Sequence, residues 1–201
     1  MEKLQTIELY IKDESEDGVF AISLVENPAI QENFVALSEE KPNKFLFEGK
    51  GVDDERRIVV GFALVPDKEI YRVKDGKEFN IKFSKETVSK AAELYMKQLN
   101  LNNVTSEHEK PVKGCTVIES WIVEDPKNDK SNLYNLNAKG GEWVIMMKLY
   151  NDEEYQKAKN GTYKGFSIEA MFQGFEQLHS EQTKEETIIN EIKKLIDNGR
   201  S

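Results

Sequence analysis

Alternating apolar and polar residues predict two strands near the start of the chain. Ile7, Leu9 and Ile11 recur at every second position, which is the period of a strand with one buried face. The apolar run at residues 19–25 follows a Glu-Asp-Gly turn signal and predicts the second strand. We interpret residues 1–50 as an N-terminal extension that packs against other surfaces and does not form a second core.

Residues 51–176 contain most of the strand-like segments and form the predicted core domain. A Lys-Asp-Gly-Lys sequence at residues 74–77 is typical of a hairpin turn between two of these segments. Short apolar or β-branched runs predict strands at residues 57–65, 70–73, 79–83, 104–108, 116–123, 143–149 and 165–172.

Helical periodicity is found in three places. Ser84 is a suitable N-cap for a helix over residues 84–99, and Asn151 or Asp152 can cap a short helix that ends near residue 160. The apolar positions of the first helix are Val88, Ala91, Ala92, Tyr95 and Leu99. Residues 177–201 are interpreted as a C-terminal helical tail. The sum predicts an α+β fold, mainly β, with a largely antiparallel sheet or barrel that carries helices.

The composition of the chain argues against several classes of protein. The 201 residues carry a net charge of −9, which argues against a nucleic-acid surface because phosphate contacts need clustered lysine and arginine. The single cysteine, Cys115, excludes an intramolecular disulfide and fits a reducing compartment. No apolar run approaches the ~20 residues that span a bilayer, and the first residues lack the apolar stretch of a signal peptide. We therefore expect no membrane partner.

The two histidines are the candidate general bases. His108 lies at the end of a predicted strand, and His179 lies in a polar linker before the C-terminal helix. A histidine on the surface is the ordinary structural interpretation of each. Position i+4 from His108 is Val112, so the His-Glu-x-x-His zinc motif is absent, and a lone cysteine cannot build a sulfur site. We expect neither metal nor cofactor.

Ser167 is the candidate nucleophile. It follows Gly165 and Phe166 in a β-rich segment, where Ser167 and Glu169 point to the same face of a strand. Simple solvent exposure of this polar pair is the alternative. A serine hydroxyl needs a base within hydrogen-bond reach and an orienting group behind that base, and the sequence spacing leaves open whether His108 meets Ser167.

The chain resembles the phage prohead proteases of the PBSX-prophage type over about residues 56–175. The start of the chain, residues 21–30, is also similar to such proteins. Six short segments occur in the same order: Gly61–Asp67, Ile70–Arg72, Ile81–Thr87, Asn103–Thr105 with His108–Glu109, Glu119–Asp125, and Lys164–Glu169.

The resemblance implies a fold and a set of catalytic residues. The fold would be that of the herpesvirus assemblin-like superfamily, a β-barrel core surrounded by helices. Ser167 matches the nucleophile on a strand, and His108 matches the base earlier in the chain. The third member varies among these enzymes. Glu169 is the favoured candidate, with Glu119 and His179 as alternatives.

The resemblance also implies an activity and its partners. The protein would be a serine endopeptidase that acts inside the phage prohead, in the host cytoplasm, and self-associates. Its substrates would be the scaffold protein, the scaffold-like segment of the major capsid protein, and the protease itself. Ending at residue 201, the chain lacks the long scaffold portion fused to some relatives, which a separate scaffold protein or truncation would explain.

Two other classes of function stay open from the sequence. The first is an inactive relative that assists capsid assembly by binding the scaffold without cutting it. The second is a decoration protein of the finished capsid, which needs no serine–histidine pair. A serine-reactive phosphonate separates the enzyme from both.

Overall fold

The computed structural model describes residues 4–29, 35–37, 56–74 and 76–178. Within these residues the chain forms eleven strands, two α-helices and two short 3₁₀ turns. The strands are β1 (Thr6–Leu9), β2 (Gly18–Val25), β3 (Val35–Leu37), β4 (Ile58–Leu64), β5 (Ile70–Lys74), β6 (Lys77–Phe83), β7 (Val104–Ser106), β8 (Lys110–Pro111), β9 (Cys115–Ile122), β10 (Trp143–Leu149) and β11 (Gly165–Met171). The helices are α1 (Lys85–Lys97) and α2 (Asp152–Lys159), and the 3₁₀ turns span Asn100–Asn102 and Lys130–Tyr134.

The fold is mixed α+β and mainly sheet, which confirms the predicted class. The strands form three sheets with the orders β1-β6-β5, β3-β4-β10-β9 and β11-β2-β7-β8. The pairs β1–β6 and β2–β7 are parallel, and the other pairs are antiparallel. Over the described ranges each sheet has two unpaired edges and no barrel closes, so the predicted assemblin-like barrel is not confirmed.

The N-terminal region contributes a central strand to one of the sheets. The prediction treats residues 1–50 as an extension, and the boundary at residue 50 stays a prediction. In the structure, however, β2 lies between β11 and β7, and Ile22 and Leu24 are fully buried in the hydrophobic core. A strand that is apolar on both faces is stable only when it is covered on both sides, which is why β2 is interior to the fold.

Helix α1 forms as its capping residue and apolar periodicity predict. The Ser84 hydroxyl accepts a hydrogen bond from the Thr87 N–H at 3.2 Å, which satisfies one of the free donors at the helix start. Val88 and Tyr95 are fully buried against the sheets. The prediction that Leu99 continues the apolar face is wrong, because the helix ends at Lys97 and Leu99 has a left-handed φ of 59° and is 77% exposed.

The hairpin of β5 and β6 also forms as predicted. Lys74 pairs with Lys77, and Gly76 adopts a φ of +77°, which a glycine accommodates without steric cost. Parallel pairing of β1 with β6 adds the third strand of this sheet. The hairpin carries Ile70, Ile81 and Phe83 into the same core that receives the inner face of β11.

The C-terminal tail can be compared with the structure only at its start. The predicted helix at residues 183–199 lies outside the described residues. Among the described helices, none combines the length and the apolar character that crossing a membrane requires.

Candidate active site

Strand β11 presents Ser167 and Glu169 on one face and apolar side chains on the other. Phe166 is 1% exposed, and Ile168 packs against the core from the same side. Ser167 is 8% exposed, so it is a buried polar residue. The shared side of Ser167 and Glu169 is the one that strand period predicts, but burial does not alternate along β11, because Ser167 is buried as well.

Three hydroxyl side chains lie side by side across the sheet. Ser167 on β11 is opposite Ser23 on β2, and Ser23 is opposite Thr105 on β7. Residues directly opposite on antiparallel strands, such as Ser167 and Ser23, have Cβ atoms ~4.5–5.5 Å apart and project to the same face. Ser23 and Thr105 are paired residues of two parallel strands. The row therefore joins the nucleophile candidate to the strand that leads to His108.

His108 lies in a tight turn between β7 and β8, two residues beyond the end of β7. The sequence predicts a strand to residue 108, but the ladder ends at Ser106. The Glu109 N–H donates to the Ser106 carbonyl at 2.9 Å, and both central residues have positive φ angles, 50° for Glu107 and 59° for His108. This is the pattern of a type I′ turn, which usually takes Asn-Gly. Each such non-glycine residue costs about 1–3 kcal/mol.

Hydrogen bonds to β2 and the loop after it hold this turn in place. The Glu107 N–H donates to the Leu24 carbonyl at 3.0 Å, and the Glu107 carboxylate accepts from the Glu26 N–H at 2.7 Å. The His108 N–H donates to the Ser23 hydroxyl oxygen at 3.0 Å. These bonds fix the backbone from which the imidazole projects and offset the cost of the positive φ angles.

Glu169 extends across β2 to reach the histidine. Its Oε1 atom lies 3.5 Å from Nδ1 of His108 and accepts a short hydrogen bond from the Thr105 hydroxyl. The residue opposite Glu169 on β2 is Ala21, whose methyl group leaves room for the longer side chain to cross. A carboxylate beside Nδ1 orients an imidazole and stabilises its protonated form.

Ser167 and His108 share Ser23 as a neighbour but are not hydrogen-bonded to each other. Ser23 pairs with Ser167 across the ladder and accepts the His108 N–H. Over the described ranges no side-chain hydrogen bond reaches the Ser167 hydroxyl. The His108 side chain is 43% exposed, and catalytic hydrogen bonds are often long in unliganded enzymes and shorten when substrate binds.

The other two candidates for the third residue fall elsewhere. Glu119 lies on β9, in a different sheet, and its carboxylate accepts a short hydrogen bond from the Lys130 ammonium group. His179 lies outside the described residues. Of the two candidates that the structure describes, Glu169 is the one that lies beside His108.

Two further side chains at this site are not singled out by the sequence analysis. Ser23 is fully buried and supports the His108 backbone, and Thr105 holds the Glu169 carboxylate. A signal for Ser23 is present in the sequence, because it is a lone hydroxyl in the apolar run 19–25. A polar group buried in such a strand needs a hydrogen-bond partner, but the run does not indicate which partner.

A buried polar network supports the end of β7. The Tyr163 hydroxyl lies 2.6 Å from Ser106 Oγ and donates to a Glu154 carboxylate oxygen at 2.5 Å. Lys157 donates to the other oxygen of Glu154 at 3.1 Å. Burial, together with the hydrogen bond to Glu154, raises the pKa of Tyr163 above its usual value. The phenol therefore keeps its proton and holds Ser106 next to the turn that carries His108.

Cysteine and metal chemistry have little support within this part of the chain. Cys115 is 2% exposed, and burial raises the pKa of its thiol to about 12, so the reactive thiolate is scarce at neutral pH. No group of three or more histidine, cysteine, aspartate or glutamate side chains among the described residues is arranged to hold a metal ion. Ser167 therefore stays the nucleophile candidate, and the His108–Glu169 pair lies on the strand face that it shares with Glu169.

Comparisons with known proteins identify the family. No curated protein and no solved structure is significantly similar to the chain. The model of the family described as "Putative phage serine protease XkdF" matches residues 49–176, a range that contains His108, Ser167 and Glu169. The match covers more than half of the chain, and the chain therefore belongs to this family of phage serine proteases.

Proposed function

We propose that the protein is a serine endopeptidase of phage capsid maturation in which Ser167 is the nucleophile, His108 the general base and Glu169 the orienting carboxylate. The proposed substrates are the scaffold protein, the scaffold-like segment of the major capsid protein, and the protease itself. The proposed place of action is the interior of the prohead in the host cytoplasm. Membership of the phage serine protease family supports the reaction class.

One contact supports the assignment of the residues most strongly. The Glu169 carboxylate lies 3.5 Å from Nδ1 of His108, on the face of the sheet that carries Ser167. With Nδ1 directed at a carboxylate, Nε2 is the nitrogen left to accept a proton. A surface histidine and a solvent-exposed serine would not require a strained turn anchored by three hydrogen bonds next to that carboxylate.

The proposed reaction proceeds in two halves. The Ser167 oxygen attacks the carbonyl carbon of the scissile peptide, and its proton passes to Nε2 of His108. The tetrahedral intermediate collapses when His108 gives this proton to the leaving amine nitrogen, the C–N bond breaks, and an acyl-enzyme remains. Water then attacks the ester with His108 as base, which releases the carboxylic acid and restores the serine hydroxyl.

Substrate binding completes the pair in this proposal. In the unliganded protein Ser23 is the shared neighbour of Ser167 and His108, and the proposed movement is a rotation of the exposed imidazole toward the serine. Side-chain rotation of an exposed residue takes picoseconds to nanoseconds and does not limit turnover. The hydrogen bonds of the turn hold the His108 backbone in place while the ring rotates.

The test is cleavage of a phage scaffold protein by the wild-type protein and three variants, followed by gel electrophoresis. Ser167→Ala and His108→Ala should each lower the rate by roughly 10⁴-fold or more, and the double variant should be no slower than either single one, since the two residues act as a unit. Circular dichroism should show unchanged folding. Retained cleavage by Ser167→Ala would locate the nucleophile elsewhere. Absence of cleavage by the wild-type protein would favour the inactive, capsid-assembly alternative.

A further inference from the structure

A small cavity borders Ser167 on the inner side of β11. Its volume is about 200 Å³, and its wall is mostly apolar, with Ile70, Phe83 and Phe166 among the lining residues. Ser167 forms part of this wall. The cavity is large enough for one amino-acid side chain and borders the strand that carries the proposed nucleophile.

Arg72 brings a positive charge into this apolar wall. On β5 it projects to the same side as the buried Ile70, and Tyr71 between them is 50% exposed. The guanidinium group donates to the Tyr71 carbonyl at 2.8 Å. Burial lowers the pKa of Arg72 from its usual value, the effect expected of a cation removed from water without a compensating anion.

No carboxylate of the described part of the chain forms an ion pair with Arg72. An open depression adjoins the cavity, and Arg72 and Ala29 line both. The acidic residue in that depression, Glu26, pairs with Lys164 at 3.5 Å instead. A half-buried charge without an opposite charge is costly in a protein interior. Within the described ranges, Arg72 therefore lines a site that an anionic group could occupy.

The edge position of β11 lets one peptide reach both the hydroxyl and the cavity. In the described residues β11 pairs with β2 on one side only. A peptide that lies along the other edge has side chains and carbonyl groups on alternating sides. It can present a carbonyl carbon to Ser167 and place the adjoining side chain next to Arg72.

We infer that Arg72 and this cavity form a specificity pocket for a glutamate or aspartate side chain of the substrate, at the residue whose carbonyl carbon Ser167 attacks. The inference rests on the proposed function and adds the substrate class to it. Arginine suits this role because its planar guanidinium group can bind both oxygens of a carboxylate. The cavity's apolar walls then contact the methylene groups of the side chain.

The experiment compares rates at which peptidyl diphenyl phosphonates label Ser167. Three probes carry glutamate, glutamine or leucine beside the phosphorus atom, and a plain alkyl fluorophosphonate reports the nucleophile alone. The glutamate probe should react about tenfold faster or more than the glutamine probe, as a charged hydrogen bond predicts. Arg72→Met should abolish this preference, and Arg56→Met, which changes an exposed arginine outside the cavity, should keep it.

The outcomes separate the specificity pocket from the catalytic assignment. Equal rates with the glutamate and glutamine probes, or a preference that survives Arg72→Met, would overturn the pocket while normal fluorophosphonate labelling leaves the catalytic residues intact. Failure of the fluorophosphonate to label Ser167 would overturn both. A peptide acid that competes better than its amide, without an advantage for the glutamate probe, would assign Arg72 to a C-terminal carboxylate and contradict the inference.

Discussion

Glu169 connects two other side chains of the candidate site. Its carboxylate contacts both the His108 imidazole and the Thr105 hydroxyl, and it lies two positions from Ser167 on the same strand face. The carboxylate can therefore orient the base without touching the substrate. Orienting groups are less costly to remove than the nucleophile or the base.

A glutamine in place of Glu169 should slow scaffold cleavage by roughly 10²–10⁴-fold, less than the loss in Ser167→Ala. The amide keeps the size of the side chain but cannot stabilise protonated His108. Glu119→Gln is the matched control, because Glu119 lies on another sheet and its carboxylate pairs with Lys130, so the variant should leave the rate unchanged. Steady-state cleavage rates provide the measurement. If Glu119→Gln proved the slower of the two, the third residue would be Glu119.

Asp17 is a second residue whose contacts make a measurable prediction. It is 2% exposed, and its carboxylate accepts from the Lys12 and Asp13 N–H groups and from Gln173 at 2.7–2.9 Å. Burial alone would raise the pKa of Asp17, but these hydrogen bonds outweigh it and lower the pKa below the usual value. The ionised form thus stabilises the folded state.

Asp17→Asn should lower the free energy of unfolding at pH 7 by about 1–3 kcal/mol, because one amide donor then faces an N–H. A lowered folded-state pKa contributes stability above the unfolded pKa of ~3.9 and loses it as the pH falls through the folded value. The difference between wild type and variant should therefore shrink below about pH 4. Urea denaturation at several pH values measures this difference in the free energy of unfolding. The control is Glu16→Gln, which changes an exposed carboxylate. A difference that is independent of pH would contradict the role of the charge.

The element that matters most for the site is the β7–β8 turn. Its positive φ angles are unusual for a glutamate and a histidine, and the bonds from Glu107 and His108 to β2 and the loop after it hold them. From the other side, Tyr163 holds the end of β7 through Ser106. The position of the imidazole therefore depends on packing and hydrogen bonds of elements distant in sequence.

Removal of the Tyr163 hydroxyl should destabilise this support. Tyr163→Phe leaves the buried Glu154 oxygen and Ser106 without their shared partner, so the free energy of unfolding should fall by about 1–3 kcal/mol. Tyr150→Phe is the control: it removes a hydroxyl group from a side chain that is 60% exposed, and the free energy of unfolding should change little. Urea denaturation of both variants gives the comparison. Equal stabilities would show that the network does not hold β7.

At the scale of the whole molecule, local sequence patterns predict individual helices and hairpins, but they do not predict which distant strands pair. Helix α1 and the β5–β6 hairpin follow from Ser84, from helical spacing and from a turn with Gly76, which are signals within a few residues. The order β11-β2-β7 does not, because it brings together residues more than 60 positions apart. This pairing places Ser23 between the two strands of the site, beyond the reach of any sequence window.

In the candidate site, too, the local features are predictable from the sequence and the long-range ones are not. The shared face of Ser167 and Glu169 is predictable from strand period, and that prediction is confirmed by the register of β11. The turn at His108 is not predictable, because Glu-His lacks the Asn or Gly that normally marks two positive φ angles. Tertiary hydrogen bonds from β2 impose that conformation. The roles of Ser167, His108 and Glu169 in catalysis stay predictions until tested.

The C-terminal tail is predicted to act in assembly. An apolar stripe at Ile188, Ile189, Ile192, Leu195 and Ile196 has helical spacing and is separate from the residues of the candidate site. Deletion of residues 181–199 should change the oligomeric state in sedimentation experiments, or incorporation with scaffold in assembly assays, without a change in the reactivity of Ser167. A truncated protein that sediments and assembles like the full chain would contradict this role.

Labelling by an alkyl fluorophosphonate, followed by peptide mass spectrometry, tests the central claim most directly because it needs no knowledge of the substrate. An activated serine reacts with this reagent, whereas an ordinary surface serine does not. We predict one adduct, on Ser167, with labelling lost in Ser167→Ala and in His108→Ala and slowed in Glu169→Gln. An unlabelled folded wild-type protein, or an adduct that persists in Ser167→Ala, would contradict the account.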